Sequence, residues 1–389
     1  MKAFNWLRWR RRIINTLSRV QAATGTPLRR QQNAEHPAIE MVGKVQSAGQ
    51  TSHHRPLQEV FPPGPGTLPG GWPDVSLYRI RQARLSGLCG SIFLPDGTMF
   101  SICPWHDRQE DKKVRRPQSI MTRSVAGSVL PLIGRNDENH GHFLFEYLPR
   151  VIAAEKLLGI SGNWRIGIAE QHARWQRNYL AMLGYSKDRV VELHPGTNHI
   201  DELLFVPLLS GISSLPDPEH LRGTLLRLQQ GVGALVDMSR RPEPAHVVFV
   251  SRSDAPNKRL LNEEELIEAA RGLFATVDVV VLSELSFNQQ VEAMAAGAII
   301  IGPQGMGLSN MAFLSDRTLV CVECGVPQPE AAWDFAYCLA AEFAGNRSVT
   351  LYGGQDRIPP HRHFVYPVDR FAMEMKRLRA LLEEDSAAR

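Results

Sequence analysis

The chain has 389 residues, which is more than one hydrophobic core usually holds, so two domains are expected. Hydrophobic content of 43% and charged content of 22% are typical of a globular protein. The formal net charge is +4, but the first thirty residues hold eight basic residues and no acid. The rest is therefore slightly acidic, which argues against a general nucleic-acid-binding surface. The sequence also lacks the run of about eighteen apolar residues that a membrane-spanning helix needs.

The N-terminal segment, residues 1–75, is predicted to be a basic tail followed by a flexible linker. In residues 1–20, arginines accompany four apolar residues that can share one helical face, as in a helix lying on an anionic membrane surface. A basic disordered tail is the alternative, and no apolar core of a signal peptide follows the arginines. Residues 21–75 have weak periodicity and end in FPPGPGTLPGGWP, which predicts a linker.

The five cysteines are odd in number and have no framework spacing, which indicates a reducing, cytoplasmic compartment. Cys321 and Cys324 form a CxxC pair inside LVCVECG, whose alternation is typical of a strand and its end. A structural zinc site needs a second ligand pair, and none is nearby in the sequence. Buried thiols are therefore favoured over zinc or redox chemistry.

The ordered chain is predicted to form an N-terminal α/β domain (76–243), a C-terminal Rossmann-like domain (244–365) and a final helical segment (366–389). The stretch RRPEPA marks the boundary near 240–245. In the N-terminal domain the patterns predict a hairpin at SIFLPDGTMFSI, strands at GSVLPLIG, WRIGIA, RVVEL and LLFVP, and helices at 140–158, 171–183 and 217–237. The packing partner of the final helix stays open, and the N-terminal domain is one candidate.

The C-terminal domain alternates more regularly. Strands are predicted at HVVFVS, VDVVVL, AIII and TLVCVE, and helices at NEEELIEAARGLF, SFNQQVEAMAAG and 306–314. Asn262 with Glu265, and Ser286 with Gln289, have the spacing of N-terminal capping boxes. Strands and helices that alternate at this spacing predict a parallel, doubly wound sheet. Ligands of such sheets bind beyond the carboxyl ends of the strands.

Two loops at that predicted edge suit an anionic ligand. GPQGMG follows a strand and precedes a helix, so its backbone N–H groups can meet an anion, although its spacing is neither GxGxxG nor a P-loop. A tight strand–helix turn is the alternative. The stretch FVSRSDAPNKRLL places Ser251, Arg252, Lys258 and Arg259 after the first strand. These cations suit a diphosphate, and a solvated basic loop is the alternative.

Carboxylate and imidazole groups supply the other candidates. Glu323 lies just past a predicted strand and can accept the hydroxyls of a ribose, or it is a surface carboxylate. In NDENHGHFLFEYLPR, His142 and Glu146 are one helical turn apart, and Arg150 is one turn further. A histidine with a carboxylate beside it can act as a general base. His140 is a second candidate, and a histidine that only caps the helix is the structural alternative. The sequence has no Asp-x-Asp and no HExxH, so a carboxylate-held metal is not expected at the centre of the mechanism.

Together these segments resemble glycosyltransferase family 61, which in bacteria includes capsular polysaccharide biosynthesis proteins. The matching pieces, in order, are HGHFLFEYLPR, LLFVP, FVSRSDAPNKRLLNEEEL, ELSFNQQVEAMAAGAIIIGPQGMGLSNMAFL and VCVE. They lie between about residues 127 and 325, roughly half of the chain. The middle three are the more specific, and nothing in residues 1–75 takes part.

The resemblance implies a GT-B architecture, in which two Rossmann-like domains face each other across a cleft and the C-terminal one holds the nucleotide-sugar. It implies a metal-independent, inverting transfer of a sugar, commonly UDP-linked, to a hydroxyl of a glycan or glycoconjugate, without a cofactor. His142 would then be the base, with Glu146 orienting it. A binding protein of low or no activity that assembles at the membrane is the alternative, and a Rossmann oxidoreductase is disfavoured because GxGxxG is missing.

The remaining site residues are carried over by position. The match assigns substrate binding to Arg150, Arg252, Arg259, Asn262, Gly302, Gly305, Gly307 and Asn310, and the residue-level reasoning adds Lys258, Gln304 and Glu323. The family's loop usually reads GPHGAGLTN, so Gln304 and Met306 are departures here. Glutamine can donate a hydrogen bond to a phosphate but carries no proton or charge. If the family's histidine stabilises the leaving diphosphate, that stabilisation is reduced here, and if it were the base, this chain would be inactive. The first interpretation is favoured because the loop lies on the donor side.

Overall fold

A computed structural model of the protein describes most of the chain. The described residues are 30–31, 36–45, 75–87, 90–100, 122–134, 136–207, 218–237, 243–314, 320–325, 341, 344, 346–352, 355–358 and 362–387. Two compact units divide the chain: the first takes Met1–Ala48 and Trp72–Ser210, and the second takes Gly49–Gly71 and Gly211–Arg389. Residues 1–20, for which a membrane-surface helix is predicted, lie outside the described part.

The first unit contains a mixed sheet. Its strands are β1 (Arg30–Gln31), β2 (Ile39–Val45), β3 (Val75–Ser86), β4 (Ile92–Phe93), β5 (Met99–Phe100), β6 (Thr122–Pro131), β7 (Trp164–Ala169), β8 (Val190–Leu193) and β9 (Thr197–Phe205). The order is β1-β5-β4-β3-β9-β6-β7-β8, and β2 pairs with β3 beside this row. Strands β9, β6, β7 and β8 are parallel. The sheet is not Rossmann-like throughout, because β3 runs antiparallel to β2, β4 and β9.

Helices of the first unit follow the parallel strands. They are α1 (His140–His142), a π-helical turn (Phe143–Tyr147), α2 (Leu148–Leu158) and α3 (Ala173–Met182). The predicted hairpin is confirmed by the antiparallel pairing of β4 with β5. The helix predicted over 140–158 is also present, but it is interrupted by the π-helical turn. Pro149 lies in the first turn of α2, directly after the π-helical turn, and has no N–H to donate to that turn.

Strand β2 corrects one expectation. Residues 21–75 are predicted as a linker, but Ile39–Val45 form a strand that pairs antiparallel with β3, from Ile39 opposite Ile80 to Val45 opposite Val75. A Cβ on Gly43 would lie 3.0 Å from a Leu157 methyl carbon, so the strand also lies close to α2. Its pattern is weak because its residues are half-buried or exposed.

The second unit contains a five-stranded parallel sheet. Its strands are β10 (Glu243–Val250), β11 (Thr276–Val280), β12 (Gly297–Pro303), β13 (Val320–Gly325) and β14 (Arg347–Tyr352), in the order β11-β10-β12-β13-β14. Strands β15 (Gln355–Ile358) and β16 (His363–Val365) form a separate antiparallel pair. The helices are α4 (Pro218–Gly233), α5 (Glu263–Arg271), α6 (Phe287–Ala296) and α7 (Val368–Ala387), with a 3₁₀ helix at Met306–Phe313. The predicted alternation is confirmed.

Both faces of this sheet are covered, as a doubly wound fold requires. On one face, buried residues of β10 and β12 pack with α5 and α7: Val247, Phe249, Ile299, Ile301, Leu266, Ile267, Phe371, Met375 and Leu378. On the other, they pack with α6 and the 3₁₀ helix: Val248, Val250, Ile300, Met294 and Leu308. The final helix, α7, therefore packs on the second sheet. No helix in the described ranges is long and apolar enough to cross a bilayer.

Helix α4 also belongs to the second unit. The Gln229 side chain donates hydrogen bonds to the carbonyl oxygens of Ala312, Leu314 and Ala344, at 3.3, 3.4 and 3.2 Å. These contacts attach α4 to the segments that follow β12. The division between the units accordingly falls at 210/211, upstream of the stretch near 240–245 where the sequence places it.

Asn262 has a different local role from the predicted one. It stands at the N-cap of α5, but its side chain makes no capping bond. Its amide nitrogen donates to the Tyr366 carbonyl at 2.7 Å, and its amide oxygen accepts from the Tyr366 N–H at 3.0 Å. The predicted pairing with Glu265 is therefore wrong. The capping box of Ser286 and Gln289 at α6 is confirmed.

Replacing Asn262 by alanine is expected to destabilise the second unit by about 2–3 kcal/mol, because it removes two hydrogen bonds beside the fully buried Tyr366. Chemical denaturation measures this change. Asn262→Asp keeps an acceptor for the Tyr366 N–H but turns a carboxylate oxygen towards the Tyr366 carbonyl, so it should not restore the lost stability. Asn178→Ala, at an exposed site of α3, is the control. Equal midpoints for Asn262→Ala and the control would contradict the assignment.

Candidate functional site

The first group of candidate residues follows the carboxyl end of β6. Asn139 caps α1, and its side-chain oxygen accepts hydrogen bonds from the N–H groups of Gly141 and His142, at 3.0 and 3.2 Å. The cap fixes where the helix begins. His142 therefore projects from the first helical turn beyond a parallel strand, which is where ligands of such sheets bind.

The His142–Glu146 pair is formed in the structure. His142 Nδ1 lies 2.8 Å from a Glu146 carboxylate oxygen, and the side chains are 19% and 5% exposed. A carboxylate at this distance fixes the orientation of the imidazole and favours the tautomer with the proton on Nδ1. Nε2 then becomes the acceptor, and it lies 3.4 Å from the Asn136 side-chain nitrogen. The arrangement has the geometry of an oriented general base.

Arg150 lies deeper than a substrate-contacting residue would need. It is 5% exposed. Its Nε donates to the Glu146 carbonyl at 3.2 Å, and its guanidinium carbon lies 4.5 Å from the centre of the Tyr147 ring. In these contacts Arg150 supports the π-helical turn that carries Glu146.

His140 stacks on Trp175, with 4.1 Å between ring centroids. Burial lowers the pKa of His140 from its ordinary value, because the charged form loses hydration. The neutral ring suits an aromatic stack, so the geometry favours a structural role for His140 and leaves His142 as the candidate base.

The lowered pKa makes stability depend on pH. The unfolded chain takes up a proton on His140 near pH 6.5, whereas the folded chain takes it up only at lower pH, so stability should fall as pH drops below about 6.5. His140→Phe keeps the stack without the titration. Thermal unfolding between pH 5 and 8 should show a smaller acid-side loss in this variant than in the parent. Equal losses would contradict the assignment.

A second polar group lies beside this site. Asp137 and Glu138 follow β6 and His172 follows β7, and one ligand atom from each lies within 4.8 Å of the others. Gln176 holds the turn by donating to the Asp137 carbonyl at 3.0 Å. Sequence reasoning did not single out these residues or Asn136, and His172 comes close to Asp137 and Glu138 only through the pairing of β6 with β7.

The second group lies at the carboxyl ends of β10 and β12, in the second unit. The strand order reverses there, since β11 lies on one side of β10 and the later strands lie on the other. Such a switch point opens a crevice between the two loops that leave it. The loop after β10 carries Arg252 and Lys258, and the loop after β12 carries Gln304 and Gly305.

The glycines of this loop are needed for close approach rather than for positive φ. A Cβ on Gly302 would lie 2.8 Å from the Val250 carbonyl oxygen, and one on Gly307 would lie 3.0 Å from a Val250 methyl carbon. A Cβ on Gly305 would lie 1.7 Å from Arg252 Nη1. Gly305 has φ 171, which is extended backbone. Two glycines therefore bring β12 and the 3₁₀ helix against β10, and the third makes room for a guanidinium.

The loop after β10 is anchored by Glu263, the first residue of α5. Its carboxylate accepts from the Ser251 hydroxyl at 2.5 Å and from the Arg252 main-chain N–H at 3.3 Å. Arg252 Nη2 donates to the Asn257 carbonyl at 3.1 Å. The Lys258 ammonium donates to the side-chain oxygen of Gln304 at 3.1 Å, which joins the two loops.

The other candidate residues have distinct positions. Arg259 is exposed, and its main chain pairs with His363 and Phe364. Asn310 donates to the Gln290 side-chain oxygen at 2.9 Å. Glu323 lies within β13, opposite Gly302, and its side chain is outside the described part, as are those of the CxxC cysteines.

Comparison with known families decides the class of the protein. Residues 140–321, a little under half of the chain, match the family model described as Glycosyltransferase 61. The matched region belongs to glycosyltransferase family 61, which identifies the protein as a glycosyltransferase. The resemblance drawn from the sequence motifs is confirmed. No curated protein that was compared matches the chain.

The matched region of this glycosyltransferase contains the His142–Glu146 pair and the loops after β10 and β12. It begins at His140, beside the candidate base, and ends at Cys321 in β13. As a member of this family, the enzyme uses a sugar donor and a glycan acceptor. The roles of the individual residues stay predictions.

Proposed function

We propose that the protein is an inverting, metal-independent glycosyltransferase with a nucleoside-diphosphate sugar, UDP-linked, as its donor. The supporting observation is the convergence of Arg252 and Lys258 on Gln304 and Gly305 at the switch point of a parallel sheet. A guanidinium and an ammonium held there suit the two phosphoryl groups of a diphosphate. The proposal includes the GT-B arrangement that the resemblance implies, with no cofactor beyond the donor.

The proposed chemistry is a single displacement. His142 Nε2 takes the proton of an acceptor hydroxyl while the acceptor oxygen attacks the anomeric carbon. The bond from that carbon to the phosphate oxygen breaks on the opposite side, and its electron pair stays on the leaving diphosphate. Arg252 and Lys258 stabilise that developing charge, and Glu146 stabilises the imidazolium that forms. Glu323 is proposed to bind the ribose.

The proposed acceptor and cellular location follow from the resemblance to the family and from the composition of the chain. The acceptor would be a glycan or lipid-linked glycan of a surface or capsular polysaccharide. The enzyme would work in the cytoplasm, where residues 1–20 could attach it to the inner face of the membrane. No nucleic acid is proposed as a partner.

A thermal-shift series with nucleotide-sugars, each with Mg²⁺ and with EDTA, tests the proposal. A donor that binds the folded state raises the melting temperature by mass action. We expect UDP-linked sugars to do so equally in both conditions, and the donor so found to be consumed with inversion at the anomeric carbon. A shift or a turnover that requires Mg²⁺ would contradict metal independence. Binding without turnover would favour the alternative of an inactive binding protein.

A further inference from the structure

The hydrogen bond between Lys258 and Gln304 joins two loops that are 46 residues apart in sequence. Gln304 is 9% exposed, so its side chain is held in place by its surroundings. Lys258 has φ +55, a left-handed conformation that is unfavourable for a residue with a side chain. Strain of this kind persists only where the surrounding structure fixes it, and it is concentrated at functional sites.

A second cation lies beside this pair. The Arg252 guanidinium occupies the space next to Gly305, where a Cβ would come within 2.5 Å of its central carbon. The loop after β10 therefore carries both cations, the Arg252 guanidinium and the Lys258 ammonium. The two cations are therefore placed next to Gln304 and Gly305, and an anion that binds there is attracted by both.

Whether the group that accepts the Lys258 hydrogen bond is charged decides if it neutralises the ammonium. A carboxylate in the place of Gln304 would neutralise the ammonium, whereas an amide oxygen accepts one of its three donors and leaves the charge intact. The amide therefore fixes the position of the cation without cancelling it. Such a preorganised charge is more effective than one that must move when the ligand arrives.

We propose that Gln304 is a positioning residue, whose amide oxygen holds the Lys258 ammonium beside the Arg252 guanidinium, so that the two cations bind the two phosphoryl groups of a diphosphate. This inference rests on the proposed function for the identity of its ligand. In this arrangement Gln304 acts on the ligand through Lys258. The site should therefore prefer a diphosphate to a monophosphate.

Calorimetric titration of the full chain with UDP, UMP and inorganic pyrophosphate tests this. Lys258→Met should weaken UDP binding by about ten- to hundredfold, since a hydrogen bond to a charged group is lost. Gln304→Leu should weaken it by about three- to tenfold, and Gln304→Glu by more, because the carboxylate neutralises the lysine. UMP binding should change much less. Lys376→Met, at an exposed position of α7, is the control.

The double variant gives the decisive comparison. If Gln304 acts through Lys258, then Lys258→Met with Gln304→Leu binds UDP no more weakly than Lys258→Met alone. Additive losses, or equal losses for UMP and UDP, would overturn the inference while leaving the proposed function intact. Pyrophosphate binding that needs Lys258 and Gln304, in a protein that binds no nucleotide-sugar, would sustain the inference and refute the proposed donor. A parent protein that binds neither UDP nor pyrophosphate would refute both.

Discussion

His142→Ala is expected to lower the rate of sugar transfer by about 10²- to 10⁴-fold, the usual contribution of a general base. UDP binding should stay the same, because the donor site is assigned to the second unit. Glu146→Gln should lower the rate less, since an amide can still hold the imidazole but cannot stabilise its charge. Single-turnover transfer and UDP titration measure the two effects separately.

The chain offers a matched control for this prediction. His246 Nε2 lies 2.8 Å from an Asp278 carboxylate oxygen, a histidine–carboxylate pair at the same distance as His142 and Glu146. It lies on the strand pair β10–β11, away from the carboxyl ends. His246→Ala should leave transfer unchanged. Full activity of His142→Ala would exclude this histidine as the base.

Gly305→Ala is expected to weaken UDP binding by about ten- to hundredfold with little loss of stability. The added Cβ would displace the Arg252 guanidinium, and that group, the end of a flexible side chain, can move away from the site. This expected decrease in UDP affinity corresponds to the loss of one hydrogen bond from a charged group. Gly302→Ala should instead lower stability, by about 1–3 kcal/mol, because its Cβ would meet the Val250 main chain.

Denaturation and UDP titration of both variants separate the two roles. Gly233→Ala is the control, because a Cβ at Gly233 would have nothing within 4 Å. Should Gly305→Ala unfold the protein while Gly302→Ala is tolerated, the assignment of the two glycines would be wrong. If Gly305→Ala binds UDP normally, Arg252 does not contact the donor.

Features set by local spacing could be predicted from the sequence. The alternation of strands and helices in the second unit follows from hydrophobic periodicity. The pairing of His142 with Glu146 follows from a spacing of one helical turn. The capping box of Ser286 is local in the same sense. In each case the interacting residues lie within a few positions of one another.

Features that join distant segments could not be predicted from the sequence. The partner of Asn262 is Tyr366, 104 residues away, so its capping position suggested the wrong contact. The glycine-rich loop has the composition of a flexible turn, but what excludes larger residues is Val250 on the neighbouring strand. In the sequence, Gln304 indicates only that this loop lacks the ionisable histidine of the family's pattern. The folded structure is needed to show that the Gln304 side-chain oxygen binds Lys258.

Strand β2 has a practical consequence. A shortened chain that starts at Ser76 would follow the predicted boundary, but it would remove the partner of the first half of β3. The side chains of Leu77 and Ile80 are now buried, and the main-chain groups facing β2 would be unpaired. An uncovered apolar edge of this kind pairs readily with other copies and aggregates. Shortened versions should therefore begin before Arg30, so that β1 and β2 are both kept.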